Sequence, residues 1–105
     1  MTSNRDVIFR TSDLQSATAF YNGILGFPII PDTPDRVVGF DTGAFVIYFE
    51  HGDPNGAVFE FDVCNVDGAK AQLLAQGCTL VEEDPSLPRC YMRDRFGLTF
   101  NLNKV

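Results

Sequence analysis

Tryptophan is absent, histidine occurs once, and no apolar run approaches the roughly 20 residues that a helix needs to cross a bilayer. A membrane-spanning helix is therefore excluded. Nor does the amino end show a basic and then apolar leader, so the expected location is cytoplasmic. The three cysteines, Cys64, Cys78 and Cys90, are odd in number and lack C-x-x-C spacing. That argues against a disulfide framework or a zinc ribbon and predicts reduced, packed thiols. No lysine or arginine cluster exists, and 14 acidic residues face 8 basic ones, for a net charge of −6. Nucleic acids and anionic membranes are poor partners for such a chain, whereas a neutral or cationic small molecule suits it. No glycine-rich nucleotide loop is present. Ser12, Ser86 and the cysteines sit in no recurring nucleophile pattern. The one imidazole, His51, has the right range for a general base, but beside Gly52 it reads as an exposed loop residue.

What the chain does have is phenylalanine, 10 of them in 105 residues, enough for one two-layer domain with a helix-on-sheet core. The organising stretch is SDLQSATAFYNGILGF, Ser12 to Phe27. Leu14, Ala17, Phe20, Tyr21, Ile24 and Leu25 recur at three- and four-residue intervals and predict one apolar helix face. Ser12 with Gln15 fits a capping box, and Gly26 a helix stop. A fainter echo, NVDGAKAQLLAQGCTLV, runs from Asn65 to Val81. Its stripe is Val66, Ala69, Leu73 and Leu74, with Asn65 as cap and Gly77 as stop. Two copies of one unit follow, about 4–51 and 56–105, joined by the turn-rich HGDPNG.

Alternation marks the strands. In the first copy they are RDVIFR, a short FPII, RVVGFD and AFVIYFE. In the second they are AVFEFDV, CTLVEE, RCYMR and LTFNLN. Each copy thus reads strand, helix, strand, strand, strand. In the first and last strand of each copy one face is apolar and suits the helix. The other carries Asp6, Ile8, Arg10, Tyr48, Glu50, Val58, Glu60, Asp62, Thr99, Asn101 and Asn103. A sheet face turned to open water is normally richer in lysine than this mixture of acids, amides and a phenol. The expectation is a lined cavity.

The helix SDLQSATAFYNGILGF, its echo and the closing DRFGLTFNL resemble the vicinal oxygen chelate superfamily, which includes glyoxalase I, extradiol dioxygenases and the fosfomycin and bleomycin resistance proteins. The resemblance covers nearly the whole chain. It implies an α+β fold in which two βαβββ modules form a cupped mixed sheet around a cavity, often in a homodimer. In metal-dependent members four His or Glu positions hold a divalent ion, on the first and last strand of each module. Matched motif to motif, those positions are here Asp6, Tyr48, Val58 and Asn101. Asp6 alone suits a hard cation.

The resulting expectation is a metal-free protein, with no cofactor, that sequesters a small organic ligand. Its ligand-binding residues are Asp6, Ile8, Arg10, Tyr48, Glu50, Glu60, Asp62 and Asn101. Tyr48 would stack or donate a hydrogen bond, the acids would meet cationic groups, and Asn101 and Arg10 would orient polar ones. The alternative is a lyase, isomerase or dioxygenase with a divalent metal displaced onto Glu60, Glu50 or Asp6.

Overall fold

A computed structural model describes all residues, 1–105. The chain forms two compact units, Arg5–Ala57 and Met1–Asn4 with Val58–Val105.

In the Arg5–Ala57 unit, strand β1 (Thr2–Thr11, from Arg5 onward) lies parallel to β3 (Val46–His51), and β2 (Val37–Asp41) runs antiparallel to β3. The register pairs Phe9 with Phe49 and Ile8 with Tyr48, so alternate residues share a face as the pattern predicted. On the apolar face the Phe9 and Phe49 rings stack at 5.5 Å. Helix α1 (Leu14–Thr18) begins on Asp13, not on Ser12 as expected. Asp13 wins because it accepts two bonds, from the Ser16 hydroxyl at 2.6 Å and the Ser16 N–H at 2.9 Å. The same bonds, the hydroxyl's first, hold its carboxyl below the usual range.

After Thr18 the helix continues as a π-helical segment, Ala19–Ile24. The Leu25 N–H reaches the Phe20 carbonyl at 3.0 Å, five residues back. That wider turn breaks the phase of the predicted stripe. Leu14, Ala17 and Tyr21 stay half-buried, whereas Phe20, Leu25 and Ile24, the last 75 % exposed, turn outward. Gly26, at φ 77°, supplies the left-handed residue that ends the helix. The expected FPII strand shrinks to a single bridge between Ile29 and Phe40. Pro28 and Pro31 flank it and have no N–H to continue a ladder.

The Val58–Val105 part repeats the order with more regular elements. Here β4 (Val58–Val63) is parallel to β7 (Thr99–Lys104), β6 (Arg89–Arg93) is antiparallel to β7, and β5 (Thr79–Asp84) is antiparallel to β6. Val63, Cys90, Met92, Phe100 and Leu102 form a buried cluster, onto which Val66, Ala69 and Leu73 of α2 (Val66–Ala75) pack. Asn65 caps this helix by accepting the Gly68 N–H at 3.0 Å, and Gly77 at φ 95° ends it. Leu74 of the predicted stripe is exposed. Neither helix is long and apolar enough to cross a membrane.

All three cysteines are free thiols, with Cys64 exposed and Cys90 buried. Burial, helped by the neighbouring Glu83, pushes the Cys90 thiol up. Native protein at mildly alkaline pH should therefore give up Cys64 first to an aromatic disulfide reagent and keep Cys90 silent until denaturant is added. A native-state reaction of Cys90 as fast as that of Cys64 would mean that the β6–β7 core opens freely.

Candidate functional site

The sheet faces opposite the helices carry the predicted residues, and each unit assembles its own group. In the Arg5–Ala57 unit the register sets Ile8 beside Tyr48 and Arg10 beside Glu50, with Asp6 two residues before Ile8 on the same strand. Asp6, Arg10, Tyr48 and Glu50 are each engaged by a neighbouring group. Across from Tyr48, on β2, stands Gly39. A Cβ there would lie 2.7 Å from Tyr48 Cε1, 2.9 Å from Cδ1 and 3.1 Å from Ile30 Cγ1. The missing side chain leaves room for the edge of the Tyr48 ring. Gly39→Ala should therefore cost about 1–3 kcal/mol in urea unfolding, as an overpacked site does. Adding Tyr48→Ala to Gly39→Ala should remove most of the penalty. A cost unchanged by losing the ring would show that the contact is not what the glycine serves.

His51 is the last residue of β3, exposed, and not a loop residue as expected. Arg36 donates to its Nδ1, which occupies the nitrogen that a general base would use.

In the second unit the register pairs Glu60 with Asn101 and Asp62 with Asn103. Asn101 is 5 % exposed, and both ends of its amide are committed. Its Oδ1 accepts the Cys90 N–H at 2.9 Å, and its Nδ2 donates to Glu60 Oε2 at 3.0 Å. The backbone donor fixes the amide orientation, since only the oxygen can receive it. Asn103 Nδ2 donates to Asp62 Oδ1 at 3.0 Å. Asn4 completes the group, with its Nδ2 donating to Glu60 Oε1 and, at 3.0 Å, to Asp62 Oδ1. Two carboxylates are thus held by three neutral amides. Beside them, opposite Asn101 on β6, Tyr91 is buried under the Arg89 guanidinium, 5.1 Å from its ring centre. Arg89 also pairs with Glu82 at 2.9 Å.

Asn4 was not among the expected site residues, because the first strand was started at Arg5. The alternation of Thr2, Asn4 and Asp6 carries the pattern further back and was the available signal. Tyr91 stands one residue from Cys90 in RCYMR, and the antiparallel return of the last hairpin was enough to set it opposite Asn101.

Seven strands and two helices in two units of this order define the glyoxalase/bleomycin resistance-like α+β fold. The model of the glyoxalase-like domain family matches residues 6–103, and the chain belongs to that family. A solved glyoxalase/bleomycin resistance protein/dioxygenase superfamily member from Vibrio splendidus 12B01 is similar over 91 % of this chain and 93 % of its own, at 17 % identity and a TM-score of 0.64. An extradiol ring-cleaving dioxygenase from B. fuscum aligns with 99 % of this chain and 32 % of its own, at 15 % identity and a TM-score of 0.69. Streptomyces coelicolor methylmalonyl-CoA epimerase aligns over 97 % and 96 %, at 16 % identity and a TM-score of 0.60. At such identities the likeness establishes the fold. No curated protein sequence matches the chain.

The four positions at which the resemblance implies metal ligands do not suit a divalent ion. Val58 is 1 % exposed and has no donor atom in its side chain. Asn101 has both ends of its amide in use. Tyr48, a neutral phenol, is a weak ligand, which leaves Asp6. No group of three or more His, Cys, Asp or Glu side chains converges closely enough to hold a metal ion.

Proposed function

We propose that this chain is a metal-free binding protein for a small neutral or cationic organic molecule, in the manner of the bleomycin-resistance-like branch of its family. The candidate contacts form two groups, each within its own unit: Asp6, Ile8, Arg10, Tyr48 and Glu50 in one, and Glu60, Asp62 and Asn101 in the other. One observation carries the reading: Glu60 and Asp62 are held by the amides of Asn4, Asn101 and Asn103. Such positioned carboxyl oxygens are acceptors that a cationic group can meet, and the net charge of −6 draws one in. Sequestration asks for shape and charge alone, with no reacting group.

The experiment is a thermal-shift and calorimetric screen of aromatic cations, with benzamidine as the lead probe and neutral aromatics beside it. A ligand at a hundred times its Kd stabilises the folded protein by about 2.7 kcal/mol, well within detection. Glu60→Gln/Asp62→Asn should weaken the cation hits and spare the neutral ones. No hit in either class would sink the proposal. Near-stoichiometric nickel, zinc, iron or manganese in protein purified without chelators would favour a metal-dependent lyase, isomerase or dioxygenase instead. The same proposal includes residence in the cytoplasm and a homodimer, and light scattering at monomer mass would remove the latter.

A further inference from the structure

Resting on the dimer within that reading, we infer that two copies of this chain pair through the outer edge of β5, in antiparallel register about a twofold axis. The two sheet edges differ. In the Arg5–Ala57 unit the free side of β2 is closed by its own chain. There the Ile30 N–H donates to the Gly39 carbonyl at 2.8 Å and the Asp41 N–H to the Pro28 carbonyl at 2.9 Å. Strand β5 has β6 on one side and no strand on the other. Such an edge offers backbone donors and acceptors to any matching strand. Its first half is uncharged, with Leu80 42 % and Val81 43 % exposed.

Charge and face name the occupant. The acids of β5 crowd into its second half, Glu82, Glu83 and Asp84. A second copy laid parallel sets acid against acid, whereas an antiparallel one sets the acids against Thr79, Leu80 and Val81. Glu82 and Glu83 are already paired within the chain, with Arg89 at 2.9 Å and Lys70 at 2.7 Å. Asp84 meets no cation; its Oδ1 accepts from the Ser86 N–H and hydroxyl. The bulge at Val81 shifts the alternation, so Thr79 and Asp84 share the face of Arg93 and Arg89, and Leu80 and Glu83 share that of Met92 and Cys90. The register that uses the whole strand therefore sets Thr79 opposite Asp84 of the second copy, and Leu80 opposite Glu83, with faces matched. Arg93, beside Thr79 on the same face, donates to the Thr99 hydroxyl at 3.1 Å and to no carboxylate. Asp84 of the second copy then stands roughly 10 Å from it across two strand spacings, a gap that the two side chains span together. By symmetry the pair forms twice.

Sedimentation velocity of the full chain over a range of concentrations tests this. Asp84→Lys and Arg93→Glu should each weaken dimerisation by about 10-fold, because like charges then meet twice in every dimer. Asp84→Lys with Arg93→Glu in one chain restores both pairs with their signs exchanged, and should return the affinity to within about threefold of wild type. A turn at Ser86 damaged by the loss of Asp84 would not be mended by a change at Arg93, so recovery supports the pairing. Val81→Lys, which puts a charge on the edge itself, should weaken the dimer as well. A dimer that none of these variants shifts, or one that the single variants weaken and the double variant does not recover, overturns the inference alone. Monomer at every concentration overturns it together with the dimer, while the benzamidine screen decides the ligand reading separately.

Discussion

Phe40→Ala should destabilise the Arg5–Ala57 unit by about 3–5 kcal/mol, a loss comparable to the whole stability of many small domains. The ring is 0 % exposed and stands among Tyr21 at 5.5 Å and Phe49 at 6.2 Å, while Tyr21 and Phe49 are themselves 5.3 Å apart. Removing it deletes one corner of an aromatic triangle joining the helix to β2 and β3. The π-helical segment that presents Tyr21 cannot slide inward to fill the space, because its carbonyls are already tied at Leu25, Gly26 and Phe27. The midpoint of urea unfolding checks this, with Ile24→Ala as control. Ile24 lies on the same segment but points outward, so its loss should stay within about 0.5 kcal/mol. Equal costs for the two variants would mean that the helix packs through a different face.

Asn101→Leu is the second large effect, and its cause is polar. Leucine has nearly the same size, so no void opens. The buried Cys90 N–H and one Glu60 oxygen lose their partner, and a stranded buried donor costs about 1–3 kcal/mol. Asn101→Asp separates the two ends of the amide. It can still accept the Cys90 N–H, but it sets a second carboxylate against Glu60. Like charge and burial would raise the folded-state pKa of the new acid above its unfolded value. An acid shifted that way destabilises at neutral pH and recovers as pH falls through the raised pKa, so Asn101→Asp should approach wild type near pH 4 to 5. Denaturant melts of the three proteins at two pH values test this. A pH-independent loss for Asn101→Asp would place Glu60 elsewhere.

The period-two alternation was legible because both sheet faces obey it. Phe9 with Phe49 and Phe61 with Leu102 lie on the helix side, and Ile8 with Tyr48 and Glu60 with Asn101 lie on the other. The α2 cap was legible too, since Asn65 has no competitor beside it. At α1 two candidates stand in a row, and Asp13 takes over because its carboxylate accepts two bonds at once. The π turn leaves no mark on hydrophobic spacing, so Phe20, Ile24 and Leu25 were read as buried and are not. Asn4 escaped notice because the first strand was started at Arg5, which cut off the Thr2, Asn4, Asp6 alternation; its long-range bonds to Glu60 and Asp62 show its part. The metal-ligand positions could be judged from residue types alone, since valine and asparagine have the same chemistry in any fold.

Gly39 with Tyr48 in one unit, and Tyr91 with Asn101 in the other, occupy the same cross-strand slot with large and small partners exchanged. At the first slot a Cβ on Gly39 would already meet the Tyr48 ring, so that slot has room for one ring. A library that randomises both members of such a pair should return ring–small and small–ring combinations and be depleted of ring–ring ones. The two halves of this chain could then diverge at that slot only by coupled steps, with a bulky newcomer on one strand tolerated once its neighbour has shrunk.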